Sequence, residues 1–296
     1  MHATIVSLTC MYSAEFDMLK KAVVTLALVS LSDPAAAYEP SLGERIDAYV
    51  QPYVASQNFS GSILVAREGA TIFARGYGFS DAGARRANTL QTQFHIASMS
   101  MQFTAAAVLR LIDAGKLHLD STVSSVIADY PGGGGITIRD LLMQVSGIAD
   151  INDLADYSEL LKSHQDAGSL VAKMQNVPPI HPPGGSYVRE EHGAYNLLAL
   201  IVERTTGHSF RDAVQRLVFA PLRMRNSGID DDRELSANNL TANGYAPLGV
   251  RQIQPAQAIH WSSKTGNGSA FSTVLDEQKW MRGLFDSRFL SQTSQA

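Results

Sequence analysis

Apolar and polar residues follow two rhythms along this chain. Residues 61–67 (GSILVAR) and 71–77 (TIFARGY) are short runs rich in β-branched and aromatic residues, separated by Glu68-Gly69-Ala70. Such runs predict strands, and the break predicts a hairpin in which Gly69 takes a positive φ. From residue 98 to 114 the rhythm changes. Ala105, Ala106, Ala107, Val108, Leu109, Leu111 and Ile112 leave little polar face, which predicts a helix buried on nearly every side. Gly115 follows as its C-cap. Residues 136–142 open another helix, and residues 195–205 (YNLLALIVERT) form a strongly apolar one that stops near Gly207. Ser209 caps the next helix, which runs to about Val218, and residues 274–284 form a further one. Residues 130–135, with four glycines in a row, read as a loop. Strands followed by a mostly helical middle predict an α+β fold. No 20–50-residue period recurs, which argues against a solenoid.

Composition narrows the picture. The chain has 296 residues, 45% of them hydrophobic and 18% charged, enough for one large domain or two interlocked ones. A net charge of −4 gives no basic surplus that argues for nucleic acid. Near the start, Met18-Leu19-Lys20-Lys21 is a basic opening to an apolar run at residues 22–31. That run has the length of a signal h-region and is too short to span a bilayer. Ala35-Ala36-Ala37 satisfies the small-x-small cleavage rule. The expectation is a leader over residues 1–37, with translation starting at Met18 and a signal peptide over 18–37. Residues 38–296 then form one exported domain, periplasmic or secreted, with no stable membrane span; a short uncleaved anchor is the alternative. The only cysteine, Cys10, lies in that leader, so the mature chain is expected to have no disulfide.

Chemistry enters at residues 94–104 (FHIASMSMQFT). Ser98 stands at the predicted start of a buried helix, where free backbone N–H groups and the helix dipole favour negative charge. In an S-x-x-K motif, a lysine one turn on takes the serine proton. Here that position is Met101, whose thioether is a weak acceptor with no useful basicity. Read alone, Ser98 is more simply an N-cap, and Met101 is comfortable as a core filler.

Flanking segments decide between these readings. Residues 94–98, 102–106 and 115–117 with Leu119-Asp120, residues 136–142 with Ser146-Gly147, and residues 219–222 with Met224 together resemble the serine β-lactamase and D-alanyl-D-alanine carboxypeptidase superfamily. The likeness is to its class C-like branch, which includes β-lactamase-like carboxylesterases, and covers roughly residues 45–290. It implies an antiparallel sheet of five or more strands flanked by helices, with an all-helical lobe at roughly residues 115–240. It also implies a site between the two in which Ser98 is acylated by an ester, amide or β-lactam carbonyl and released by water.

The resemblance also specifies what should surround Ser98. A Y-x-N motif, counted back from Leu197-Leu198 and Glu203, falls on Glu190-Glu191-His192, where neither tyrosine nor asparagine occurs. Tyr187, three residues earlier, is a candidate base if the loop is shifted. His192 with Glu190 or Glu191 is a candidate substitute pair, and a solvated charged loop is the plain alternative. Lys264-Thr265-Gly266 spells the third motif, K-T-G. Residues 268–273, however, resemble a landmark that precedes the true third motif, so the expected strand falls beyond residue 296 and the fold reads as C-terminally truncated. No pair of histidines has metal-ligand spacing, and the glycine run lacks the Lys and Ser/Thr of a phosphate loop, so no metal or cofactor is expected. The functional expectation is an impaired β-lactamase-like serine hydrolase acting on a small ester, β-lactam or peptidoglycan-type peptide. A non-catalytic relative with the same fold is the alternative.

Overall fold

The computed structural model describes residues 3–8, 41–187, 189–232, 239–249 and 252–295. Residues 18–37, read above as a signal peptide, and Cys10 lie outside them. Strand β1 (Ala3–Leu8) runs antiparallel to β2 (Gly61–Arg67), which pairs in turn with β3 (Ala70–Tyr77). Helix α1 (Leu42–Ala55) packs on β3; its Ser41 and Glu44 form a reciprocal capping box. The predicted hairpin is present, with Glu68 and Gly69 both at positive φ. Among the described residues this sheet has three strands, fewer than the five the resemblance implies. One of the three comes from the segment read as leader.

Shorter strands carry the chain toward the site. β4 (Phe79–Asp81) pairs with β5 (Arg86–Ala87). β6 (Phe94–His95) and β7 (Gly228–Ile229) flank a central strand, β10 (Ala270–Ser272), and β8 (Tyr245–Gly249) pairs with β9 (Gln252–Pro255). The helical region comprises α2 (Met101–Asp113), α3 (Ile138–Leu142), α4 (Tyr157–Leu160), α5 (Ala167–Met174), α6 (His192–Thr206) and α7 (Phe210–Val214). α8 (Val274–Leu284) and α9 (Gln292–Gln295) follow β10. Gly115 and Gly207, both left-handed, end α2 and α6 as predicted. Ser209 accepts from the Asp212 amide to cap α7, and a π-helical turn, Gln215–Phe219, extends it.

The main core lies between α2 and α6. Leu197, Leu198, Ile201 and Val202 of α6 are fully buried, and each such side chain stabilises the fold by about 1.5–3 kcal/mol. Phe103 of α2 meets Phe219 and Trp280 edge-on, with ring centroids 5.0 and 4.9 Å apart. α2 is less uniformly buried than predicted: Ala105, Leu109 and Ile112 are only partly covered. α6 begins three residues earlier than the apolar pattern indicates. That places His192 in its first turn and Glu191 at its N-cap, so this stretch is not a solvated charged loop.

Candidate active site

Ser98 is positioned by backbone on both sides. β6 pairs with β10, and the Ile96 amide donates to the Ala270 carbonyl at 3.0 Å. Ala97 then takes a φ of +49°, and the chain enters α2 through a 3₁₀ turn, Ala97–Ser100. A left-handed alanine costs on the order of 1–2 kcal/mol and persists where flanking structure over-determines it. It turns Ser98 out of the strand line at the N-terminal end of a helix. Ser98 is not an N-cap; that position belongs to Ser100, whose buried hydroxyl accepts from the Ala270 amide at 2.9 Å. Met101 points into the main core, buried with Phe94 and Phe103 in the same cluster.

Ser98 opens onto a cavity of about 70 Å³, lined also by Ala97, His192, Trp261, Lys264, Asn267 and Gly268. Lys264 ends a 3₁₀ turn, Trp261–Lys264, rather than standing on a strand. The residues after it are locked to both core helices. Asn196 Nδ2 of α6 donates to the Thr265 carbonyl at 2.6 Å, and Thr104 Oγ1 of α2 donates to the Gly266 carbonyl at 2.6 Å. Gly266 has φ +88°, and a Cβ there would stand 2.2 Å from the Tyr195 carbonyl oxygen. Its glycine is thus explained by packing against α6, and the K-T-G spelling reflects no third-motif strand. Lys264 Nζ donates to Asn152 Oδ1 at 3.2 Å and hydrogen-bonds the Tyr157 hydroxyl. Burial holds its pKa below the usual lysine value, against the opposing charge of Asp150.

His192 enters the cavity from the first turn of α6. Its Nδ1 lies 2.8 Å from Asp150 Oδ2, and its Nε2 lies 3.2 Å from Glu190 Oε2. The hydrogen bond to Asp150 raises the imidazole pKa, outweighing desolvation. Burial pushes Asp150 up, but hydrogen bonds from His192 and the Asn152 amide bring its carboxyl below the ordinary value. Glu191 does different work. It is buried, accepting from Ser146 N at 3.0 Å, Ser146 Oγ at 2.5 Å and Gly147 N at 3.0 Å. It therefore anchors the Ser146-Gly147 turn and is no partner of His192. Tyr187 is exposed and does not line the cavity.

The structure thus brings together Ser98, His192 and Lys264, and leaves Tyr187 and the Met101 side chain apart. Asp150, Asn152, Tyr157 and Trp261 complete the site, and sequence reasoning did not single them out. Asp150 and Asn152 follow closely on the Ser146-Gly147 landmark, which is the one signal that pointed to them. His95, stacked on Trp261 at 3.8 Å and paired with Asp230 at 2.7 Å, supports the cavity wall from behind.

A larger depression, about 370 Å³, lies between α5 and the α6–α7 junction. Its Glu203 accepts from the Phe210 amide, Asp166 caps α5 and Ser209 caps α7, so these polar side chains serve helix ends. Among the described residues, no cluster of three or more His, Cys, Asp or Glu could hold a metal ion. No described helix is long and apolar enough to cross a membrane.

A serine lifted from a strand onto a helix N-terminus, facing a cavity between small antiparallel sheets and a helical region, is the arrangement of the penicillin-recognising serine hydrolases. The Beta-lactamase family profile matches residues 46–296, and the chain belongs to that family. It is 29% identical over 232 residues to a D-aminopeptidase of Brucella ovis, covering 77% of this chain and 43% of the relative. It is 26% identical over 248 residues to PbpX of Bacillus subtilis (strain 168), covering 83% of this chain and 60% of the relative. The chain therefore spans less than two thirds of either relative. Among solved structures, a penicillin binding protein from Bacillus halodurans superposes with a TM-score of 0.73 at 26% identity, covering 83% of this chain and 76% of that one.

Proposed function

We propose that this chain is a serine acyl hydrolase in which Ser98 attacks the carbonyl of a small amide, ester or β-lactam. The observation that carries the reading is that Ser98 shares one cavity with an imidazole and an amine. The Ser98 oxygen bonds to the carbonyl carbon, its proton passes to a base, and the leaving group departs with a proton. Water then cleaves the acyl-enzyme. The N-terminal end of α2 favours the negative charge that develops. Because position 101 carries a thioether, acylation is slower than in an S-x-x-K site; a positioned base contributes roughly 10²–10⁴ in rate. The names of the relatives favour peptide-type amide and lactam carbonyls. A cavity of about 70 Å³ accommodates an acyl group of a few heavy atoms, with the rest of the substrate outside it. Export through residues 18–37 belongs to this reading, and N-terminal sequencing of the secreted product tests it: a start at Tyr38 supports it.

A second reading, a binding protein that retains the fold, is favoured by the replacement of three family groups at once, at Met101, Glu190 and His192. Incubation with a chromogenic short-chain ester and a fluorescent penicillin, followed by intact mass, separates the two. A covalent adduct that Ser98→Ala abolishes supports the hydrolase. Absence of any adduct supports the binding protein.

A further inference from the structure

The amine missing at position 101 is supplied to the cavity from another part of the chain. Lys264 lines the same cavity as Ser98. Its side chain runs past Gly268, whose missing Cβ would stand 3.2 Å from Lys264 Cβ and 3.8 Å from the carbonyl carbon of Ala97, the residue before the nucleophile. Gly268 thus leaves open the space through which the lysine passes the Ser98 turn. The amine is oriented by Asn152 and Tyr157, and its Nζ lies 4.6 Å from the Tyr157 ring centroid. Among the described residues no carboxylate forms an ion pair with it, a rare state for a largely covered lysine. Nothing in this arrangement resembles a strand lysine displayed to bind a substrate carboxylate.

We propose that Lys264 is the base that takes the proton of Ser98, replacing from a loop the amine that the start of α2 lacks. The proposal rests on the serine-hydrolase reading above. In the step, the neutral Nζ lone pair accepts the hydroxyl proton as the Ser98 oxygen bonds to the carbonyl carbon, and the carbonyl π electrons move to its oxygen. Collapse of the tetrahedral species breaks the bond to the leaving group, which recovers the proton from the Nζ ammonium. Burial favours the neutral amine that this step needs. The groups facing Nζ are few. Asp150 favours the ammonium; Tyr157 hydrogen-bonds it; His192, paired with Glu190, lines the same cavity and shares Asn152 as a partner; His95 and Asp230 stand beyond Trp261. His192 is the poorer candidate, because both its ring nitrogens are already engaged, Nδ1 by Asp150 and Nε2 by Glu190.

The test uses the full chain and p-nitrophenyl acetate, a neutral ester with no carboxylate for a lysine to bind. Acylation of Ser98 is followed by phenolate release and by intact mass from pH 5 to 10. In the unaltered chain the rate should rise with pH to a plateau, with an apparent pKa below the free-lysine value of about 10.4. Lys264→Met should lower the rate roughly 10²-fold or more and remove that limb. Lys264→Arg should fare no better, since a guanidinium stays protonated. Tyr157→Phe, which keeps the amine and removes a partner, should shift the apparent pKa. Thermal melts confirm folding, and if Lys264→Met fails to fold, Lys264→Arg carries the comparison. An unchanged rate and pH profile in Lys264→Met overturns the proposal while the serine reading stands. A full rate in Lys264→Arg overturns it too, leaving only a role for positive charge. No Ser98 adduct on the unaltered chain at any pH overturns both.

Discussion

Asp150 Oδ2 lies 2.8 Å from His192 Nδ1, joining the segment after the Ser146-Gly147 turn to the N-terminus of α6. The bond raises the imidazole pKa and helps lower that of the carboxyl. Asp150→Asn should return the His192 pKa toward about 6.5, read from the imidazole proton shifts in an NMR titration. The stability the pair contributes is lost as pH falls through the lowered Asp150 pKa, and lost again as pH rises through the raised His192 pKa. The deficit of Asp150→Asn should therefore be largest at about pH 4–6.5 and shrink at pH 9.

Glu191 is a buried acceptor for two backbone amides and a hydroxyl. Glu191→Ala leaves all three donors unsatisfied, at about 1–3 kcal/mol each. A loss of at least about 3 kcal/mol is expected by urea denaturation. Glu190→Ala, at a half-exposed carboxylate, should cost well under about 1 kcal/mol.

Much of this molecule is legible in its sequence, but unevenly. The hairpin, the Ser98 helix, its Gly115 stop and the Ser209 cap follow from local pattern, because turns and caps are decided by residues a few positions apart. The partners of Ser98 are decided by packing, and there adjacency misleads. Glu191 is next to His192 in sequence, yet α6 starts between them and directs Glu191 inward to Ser146. Glu190 does pair with His192 Nε2 as its position suggests, while Nδ1 is held by Asp150, which arrives from a distant loop. Lys264 is brought to the cavity by the hold of Asn196 and Thr104 on the residues after it, a reason unrelated to the K-T-G spelling that drew attention to it.

Gly266→Ala tests that hold. The Cβ would meet the Tyr195 carbonyl oxygen at 2.2 Å and the Ala199 Cβ at 2.9 Å, at a φ of +88°. Strain and overpacking together should cost roughly 2–6 kcal/mol, seen as a lowered denaturation midpoint. Any variant that still folds should also acylate more slowly, because Lys264 moves with the loop.

Glu277 of α8 is buried, and its Oε1 has no hydrogen-bond partner. Burial, aided by the charge of Asp276, pushes its pKa up to about 7. The folded state therefore binds this proton more tightly than the unfolded chain does. The stabilising effect is complete below about pH 4.5 and is lost as pH rises through 7. Glu277→Gln should remove this dependence. Its stability relative to the unaltered chain should rise by on the order of 3 kcal/mol between pH 4.5 and 8, measured by denaturant titration at both.

α6 carries His192 in its first turn and, one turn later, Asn196, whose amide grips the Thr265 carbonyl beside Lys264. The same loop is held from the other side by Thr104 of α2, the helix into which Ser98 leads. The loop is thus a strap across two rods, and it resists any slide of α6 against α2. The distance from imidazole to nucleophile is therefore set by the same two hydrogen bonds that bring the amine to the cavity.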